Sequence, residues 1–198
     1  MSAKTVPEFH PKSRAVWRAW LEQHHTSEAS VWVILYKKSS GQPTITYEEL
    51  VLECLCFGWI DSKPNKIDEE KFKLFCALRK PKSAWSASNK KRVEELTQLG
   101  LIAPAGQAAI DAALANGAWQ AIDAAQAMIE PPDLLAVFKR HAGSKKYWDA
   151  FPPSAKKGIL EWIGNAKTDA IRAKRLEETA SLAARNERAN QWKPKDKR

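Results

Sequence analysis

The chain has 198 residues, 44% hydrophobic and 28% charged, with a formal net charge of +9. That is enough length and apolar content for one large domain or two small ones to bury a core without disulfides or metal, and it excludes a disordered chain. No apolar run approaches the about eighteen residues of a membrane-spanning helix, and residues 1–7 lack a signal-peptide stretch, so a cytoplasmic protein without membrane insertion is expected.

The charge is unevenly placed. Residues 1–138 hold 16 basic and 16 acidic side chains, which cancel, whereas residues 139–198 hold 16 basic and seven acidic ones and carry the whole excess. Such asymmetry fits either a solvated basic helical surface or a surface for a polyanion. The three cysteines, Cys54, Cys56 and Cys76, sit in apolar segments and read as buried thiols of a reducing compartment.

Val16, Trp17, Trp20 and Leu21 fall at helical spacing and predict a first amphipathic helix. Residues 30–36, Ser-Val-Trp-Val-Ile-Leu-Tyr, are β-branched and aromatic and read as a buried strand, followed by a turn at 39–43. Thr46 and Glu49 have the spacing of a reciprocal capping box, and Tyr47, Leu50, Val51, Cys54 and Leu55 then share one helical face that ends at Gly58. Shorter extended pieces follow: residues 59–62 running into a turn at 63–66, and a strand over 72–78. Pieces so close in sequence favour a small antiparallel sheet.

From Ser86 onward the pattern is helical. Val93, Leu96 and Leu99 form one stripe; Ile110, Ala113 and Leu114 form another; Pro131–Pro132 and Pro152–Pro153 open two more helices, and Thr168 caps the last, which carries Ile171, Leu176, Thr179 and Leu182. The fold class is therefore α+β, with a small antiparallel sheet and flanking helices in the N-terminal part and an all-helical C-terminal part. The expected divisions are residues 1–130, a helical module over 131–187 and a basic tail over 188–198.

No nucleophile elbow, phosphate loop or dinucleotide fingerprint is present, and the four histidines and three cysteines lack metal-ligand spacing, so neither metal nor cofactor is expected. The richest chemistry lies in two short segments. Trp59, Asp61 and Ser62 form the first, and Arg79, Ser83, Trp85, Ser86 and Asn89 form the second. A guanidinium suits a carboxylate or phosphate, and loops at sheet–helix junctions are where binding groups are carried. Two arrangements fit these residues. In one they line a pocket; in the other Asp61 and Arg79 make an internal ion pair, Ser86 caps a helix and the indoles are core. Arg172, Lys174, Arg175, Arg185 and Arg188 are the candidate contacts for a polyanion such as nucleic acid.

The run 53–62, ending Gly-Trp-Ile-Asp-Ser, resembles the signature of the bacterial YdeI/OmpD-associated family. So do Arg79-Lys80-Pro81-Lys82-Ser83-Ala84-Trp85-Ser86 with Asn89, and the segment 99–106. The C-terminal third is similar to that family's short bacteriocin-protection module through Pro132-Asp133-Leu134, Trp162-Ile163, Ala166-Lys167 and residues 172–175. The chain departs from the pattern at Ala77-Leu78, where the family has Thr-Pro, and at Ile171, where it has Thr. The resemblance implies association with outer-membrane proteins and protection against bacteriocins or cationic peptides. It brings no established reaction and so no catalytic residues. The leading expectation is a non-enzymatic binding or stress-protection protein holding a small anionic or peptidic ligand near Asp61 and Arg79. The alternative is a nucleic-acid-associated protein using its basic C-terminal helices. An enzyme acting through Asp61 or Cys56 is a third class, for which neither residue has an activating partner in sequence.

Overall fold

The computed structural model describes residues 5–191, which divide into two compact units, one running to Trp119 and one starting at Gln120. The first unit is α+β. Strand β1 (Glu8–Phe9) precedes α1 (Arg14–His24), β2 (Ser30–Tyr36), α2 (Tyr47–Cys56) and the hairpin β3 (Trp59–Lys66) and β4 (Lys71–Leu78); α3 (Ala87–Gln98) and α4 (Pro104–Ala115) complete it. The sheet order is β1-β2-β4-β3. The hairpin and the β2–β4 pair are antiparallel as expected, but β1 adds parallel to β2, so the sheet is mixed.

Local chemistry sets the helix starts. Thr46 Oγ1 accepts from Glu49 N at 3.1 Å while Glu49 Oε2 accepts from Thr46 N at 2.8 Å, completing the capping box. Ser13, Ser86 and Thr168 each accept from the backbone three residues on. Proline opens α4 and, in the second unit, α6 (Pro132–Arg140) and α8 (Pro153–Gly164), where its missing N–H costs nothing.

Three expectations change on contact with the structure. Strand β3 runs through the predicted turn at 63–66, because Pro64 sits on an edge strand beyond a bulge between Asp61 and Pro64, where no ladder N–H is needed. The turn lies at 67–70 instead, where Asp68 Oδ1 accepts from the amides of Glu70 and Lys71, both at 2.9 Å. Strand β2 is buried on one face only: Val31, Val33 and Leu35 are inside, whereas Trp32, Ile34 and Tyr36 are half-buried. Tyr47, assigned to the buried face of α2, is 50% exposed because it is the first residue of its helix, at the rim of the sheet.

The first core joins Trp17 and Leu21 of α1, the inner residues of β2, Leu50, Cys54 and Leu55 of α2, Trp59, Leu74 and Cys76 of the hairpin, and Val93 and Leu96 of α3. Inside this unit Glu53, 1% exposed on α2, is held by Arg14 at 2.6 Å and Arg18 at 3.0 Å. The second unit is helical. With α6 and α8 it contains α5 (Asp123–Gln126), α7 (Ser144–Ala150) and α9 (Asp169–Ala183), around Leu134, Phe138, Trp148, Ile159, Ile163, Leu176 and Ala180. Helices α5 and α7, four and seven residues long, were not signalled by periodicity. Of the basic tail, Ala189 is buried in this core, and residues 192–198 lie outside the described residues.

Gly106 shows how tightly α4 packs on the end of α2: a Cβ there would lie 2.2 Å from the Cys56 carbonyl oxygen. Neither backbone can yield as a flexible side chain would. Gly106→Ala should therefore cost about 2–3 kcal/mol in denaturant unfolding, and a loss under about 0.5 kcal/mol would contradict this packing.

Candidate functional site

The turn from α2 into β3 is made at Gly58, whose φ of +71° suits glycine and whose Cα lies against α4; an added Cβ would sit 2.9 Å from the Ala105 carbonyl oxygen. The Gly58 carbonyl accepts from Arg79 N at 2.9 Å, which places the end of β4 beside the start of β3. The chain then turns tightly, Ser83 N donating to Lys80 O at 2.9 Å, and Asn116 Nδ2 pins the turn by donating to Pro81 O at 2.9 Å. Ser86 ends the loop as the cap of α3.

This loop folds over Arg79. The guanidinium lies 3.8 Å above the Trp85 ring, and Nη2 donates to Ala84 O at 2.8 Å. The residue is 6% exposed, and its Nε and Nη1 are buried without an acceptor. Burial pushes its pKa down to about 10, opposed by the charge of Asp61, and still leaves it a cation at neutral pH. Trp85 in turn packs on Trp119, with ring centroids 5.0 Å apart, and the Lys90 ammonium lies 5.5 Å over Trp119. Trp59, fully buried, meets Trp20 edge-on at 6.0 Å and also has an Nε1 without an acceptor.

Asp61 and Arg79 do not form the contact ion pair that was one of the two expected arrangements: no nitrogen of Arg79 donates to Asp61. The carboxylate instead accepts from the Tyr47 hydroxyl at 2.9 Å. Burial, with that acceptor beside it, pushes the Tyr47 phenol up to about 12. Asp61 and Ser62 line an open, mostly apolar cleft with Tyr47, Phe72 and Leu74. Seven of the eight candidate residues therefore fall into three groups. Arg79, Trp85 and Trp59 are buried, Asp61 and Ser62 border the cleft, and Ser86 and Asn89 build the first turn of α3. Asn89 Oδ1 also accepts from Arg92 at 3.1 Å, and Arg92 grips Glu48 through two bonds of 2.6 and 2.7 Å. Ser83 is half-buried in the loop.

Tyr47, Trp119 and the Arg14–Glu53–Arg18 cluster were not singled out from sequence. Glu53 left a signal, an acid among the apolar residues 50–57, which requires a cation nearby. Burial lowers the Arg18 pKa, but Glu53 and the neighbouring Cys56 together raise it above its ordinary value. Cys56, beside this cluster, is buried, and desolvation pushes its thiol up to about 11, so it stays protonated at neutral pH. Among the described residues no three His, Cys, Asp or Glu side chains come together as a metal site would require, and no helix is long and apolar enough to cross a membrane.

Four of the five candidate polyanion contacts are engaged within the helical module. Arg172 holds Asp133 through bonds of 2.6 and 3.0 Å, Arg175 donates to the Trp162 carbonyl and covers its ring, Arg185 pairs with Glu187 at 3.2 Å, and Arg188 lies 5.8 Å over Phe151. Lys174 is exposed.

The Arg172 bond holds the Asp133 carboxyl below its ordinary 3.8. A depressed carboxyl contributes stability that is complete above the unfolded value and is lost as pH falls through the folded one. Asp133→Asn should therefore cost about 0.5–1 kcal/mol at pH 7, as expected for a partly exposed pair, and the difference from the parent should narrow as pH falls below the ordinary carboxyl value. Denaturant unfolding at pH 7 and pH 3 checks this; a gap as wide at pH 3 as at pH 7 would contradict it.

Two family models match the chain. Residues 9–109, half of the chain, match the Domain of unknown function (DUF8412), and residues 127–186 match the module described as Bacteriocin-protection, YdeI or OmpD-Associated. The motifs around Asp61 and Arg79 thus lie in the first match, not in the second. No curated protein and no solved structure matches. By these matches the chain belongs to the family described as Domain of unknown function (DUF8412) and carries a C-terminal YdeI/OmpD-associated module.

Proposed function

We propose that the protein is a non-enzymatic binding protein in which Arg79 anchors a small anionic ligand, an inorganic oxyanion or the carboxylate of a peptide-like molecule. The observation that carries this reading is the buried guanidinium with two donors, Nε and Nη1, that find no acceptor in the chain. A desolvated cation without a bonded counter-charge costs several kcal/mol, and an arriving oxyanion supplies both the charge and the acceptors. Lys80 and Lys82, exposed on the loop over Arg79, make the approach positive. Entry requires the loop at 80–84 to lift, against its turn bond, the Asn116 bond and the bond from Arg79 to Ala84 O, while Trp85 stays in the core. The C-terminal module's description, bacteriocin-protection, fits a protective role. A chain of charge +9 does not attract a cationic peptide, so such protection acts through the bound ligand and not by capturing the peptide.

Arg79→Met keeps the stem packing and removes the charge. In the absence of anions this variant should be at least as stable as the parent, because the unanswered buried charge it removes is itself destabilising. The parent should gain about 3–5 °C in unfolding midpoint at a phosphate or acetate concentration tenfold above its dissociation constant, and the variant should gain nothing. Equal gains in both proteins would remove Arg79 from the site. A loss above about 3 kcal/mol without anions would make the residue a structural joint.

A further inference from the structure

The outer face of the sheet carries aromatic and basic side chains that neither core uses. Strand β2 turns Trp32, Ile34 and Tyr36 outward, half-buried, while Val31, Val33 and Leu35 face inward. In the β2–β4 register Trp32 stands opposite Phe75, Ile34 opposite Lys73 and Tyr36 opposite Lys71. Trp32 and Phe75 pack edge to face with centroids 5.1 Å apart. None of Trp32, Ile34, Tyr36 and Phe75 belongs to either hydrophobic core. The helix contact on the sheet is chiefly α2 against β3, and α2 buries its apolar face in the first core, on the opposite side.

The charges are interleaved with the rings. The Lys73 ammonium lies 4.7 Å over Trp32 and that of Lys71 lies 5.8 Å over Tyr36. One acid, Glu8, which is paired in register with Trp32, answers Lys73 at 2.6 Å, and Asp68 of the hairpin turn lies 3.6 Å from Lys71. Both acids are about half exposed, so these are surface pairs worth little, and the lysines can exchange them for other anions.

We infer that this face is a stacking platform for single-stranded nucleic acid, with bases against Trp32 and Phe75 and phosphates taken by Lys71 and Lys73. Rings with adjacent ammonium groups on an open sheet suit unpaired bases, whose faces a duplex hides. A second copy of the chain is a poorer occupant, since pairing the face with itself brings the lysines of both copies together. The surface is separate from the Arg79 site and does not depend on that reading. It also differs from the basic C-terminal helices, most of whose candidate arginines are spent within their module.

The test is a titration of full-length protein with fluorescein-labelled ten-nucleotide single strands, read by anisotropy. Two phosphate contacts predict about a sevenfold loss of affinity between 50 and 200 mM salt. Trp32→Ala should weaken binding about tenfold or more, the loss expected for one stacked base. Trp32 supports no core, so circular dichroism should show this variant folded. Glu8→Gln frees Lys73 and should strengthen binding about threefold, a gain that mere structural damage cannot produce. Lys174→Ala should change nothing. Absence of binding at 50 mM salt, equal affinity for a duplex, or loss on Lys174→Ala with none on Trp32→Ala would overturn the inference. Self-association abolished by Trp32→Ala would overturn it in favour of a second copy.

Discussion

The carboxylate of Glu53, 1% exposed on α2, is met by two guanidiniums from α1, and that clamp is the arrangement on which the first unit depends. It fixes α1 against α2, and Arg18 extends the tie by donating to Leu101 O at 3.2 Å, where the chain passes from α3 into α4. The same helix then delivers Gly58 and Trp59 into the edge strand, so the position of the candidate site follows from a buried charge being answered. A buried ion that loses its partner is strongly destabilising, which makes the rule stringent.

Set beside Glu53, Arg79 is the exception. Asp133 and Arg172 answer each other directly, and Glu53 has two cations. Arg79 has a carbonyl, an aromatic face and the field of a carboxylate that is bonded to Tyr47 instead. A ring face and one carbonyl stabilise a guanidinium but leave two of its nitrogens without acceptors. That shortfall sits beneath a short loop with lysines on its outer side. On the proposed reading, an anion would supply the acceptors that these two nitrogens lack.

Much of this was legible in the sequence because it is written locally. The Thr46–Glu49 box, the Ser86 and Thr168 caps and the prolines opening α6 and α8 act within one helical turn, and each starts its helix where expected. Arg79 and Trp85 are six residues apart, and the short loop between them brings the guanidinium over the ring. What was missed depends on partners far along the chain. Two-residue β1 exists only because β2 offers an edge. The bonds from Tyr47 to Asp61 and from Arg14 to Glu53 link different elements, with no spacing rule to signal them. Strand β2 was misjudged because an alternating run of apolar residues on both faces reads as fully buried. Whether a second layer covers the outer face is a tertiary fact. The C-terminal arginines were legible as charge but not as internal partners, since Asp133 lies 39 residues from Arg172.

The central claim concerns the Nε–H of Arg79, and side-chain nitrogen–proton NMR of the intact chain observes that group directly. Titration with phosphate should move the Arg79 Nε–H resonance in a saturable way and slow its exchange with water, while that of Arg172, already bonded to Asp133, stays in place. An Arg79 resonance that does not move at phosphate concentrations up to tens of millimolar, or that moves no more than Arg172, would contradict the account.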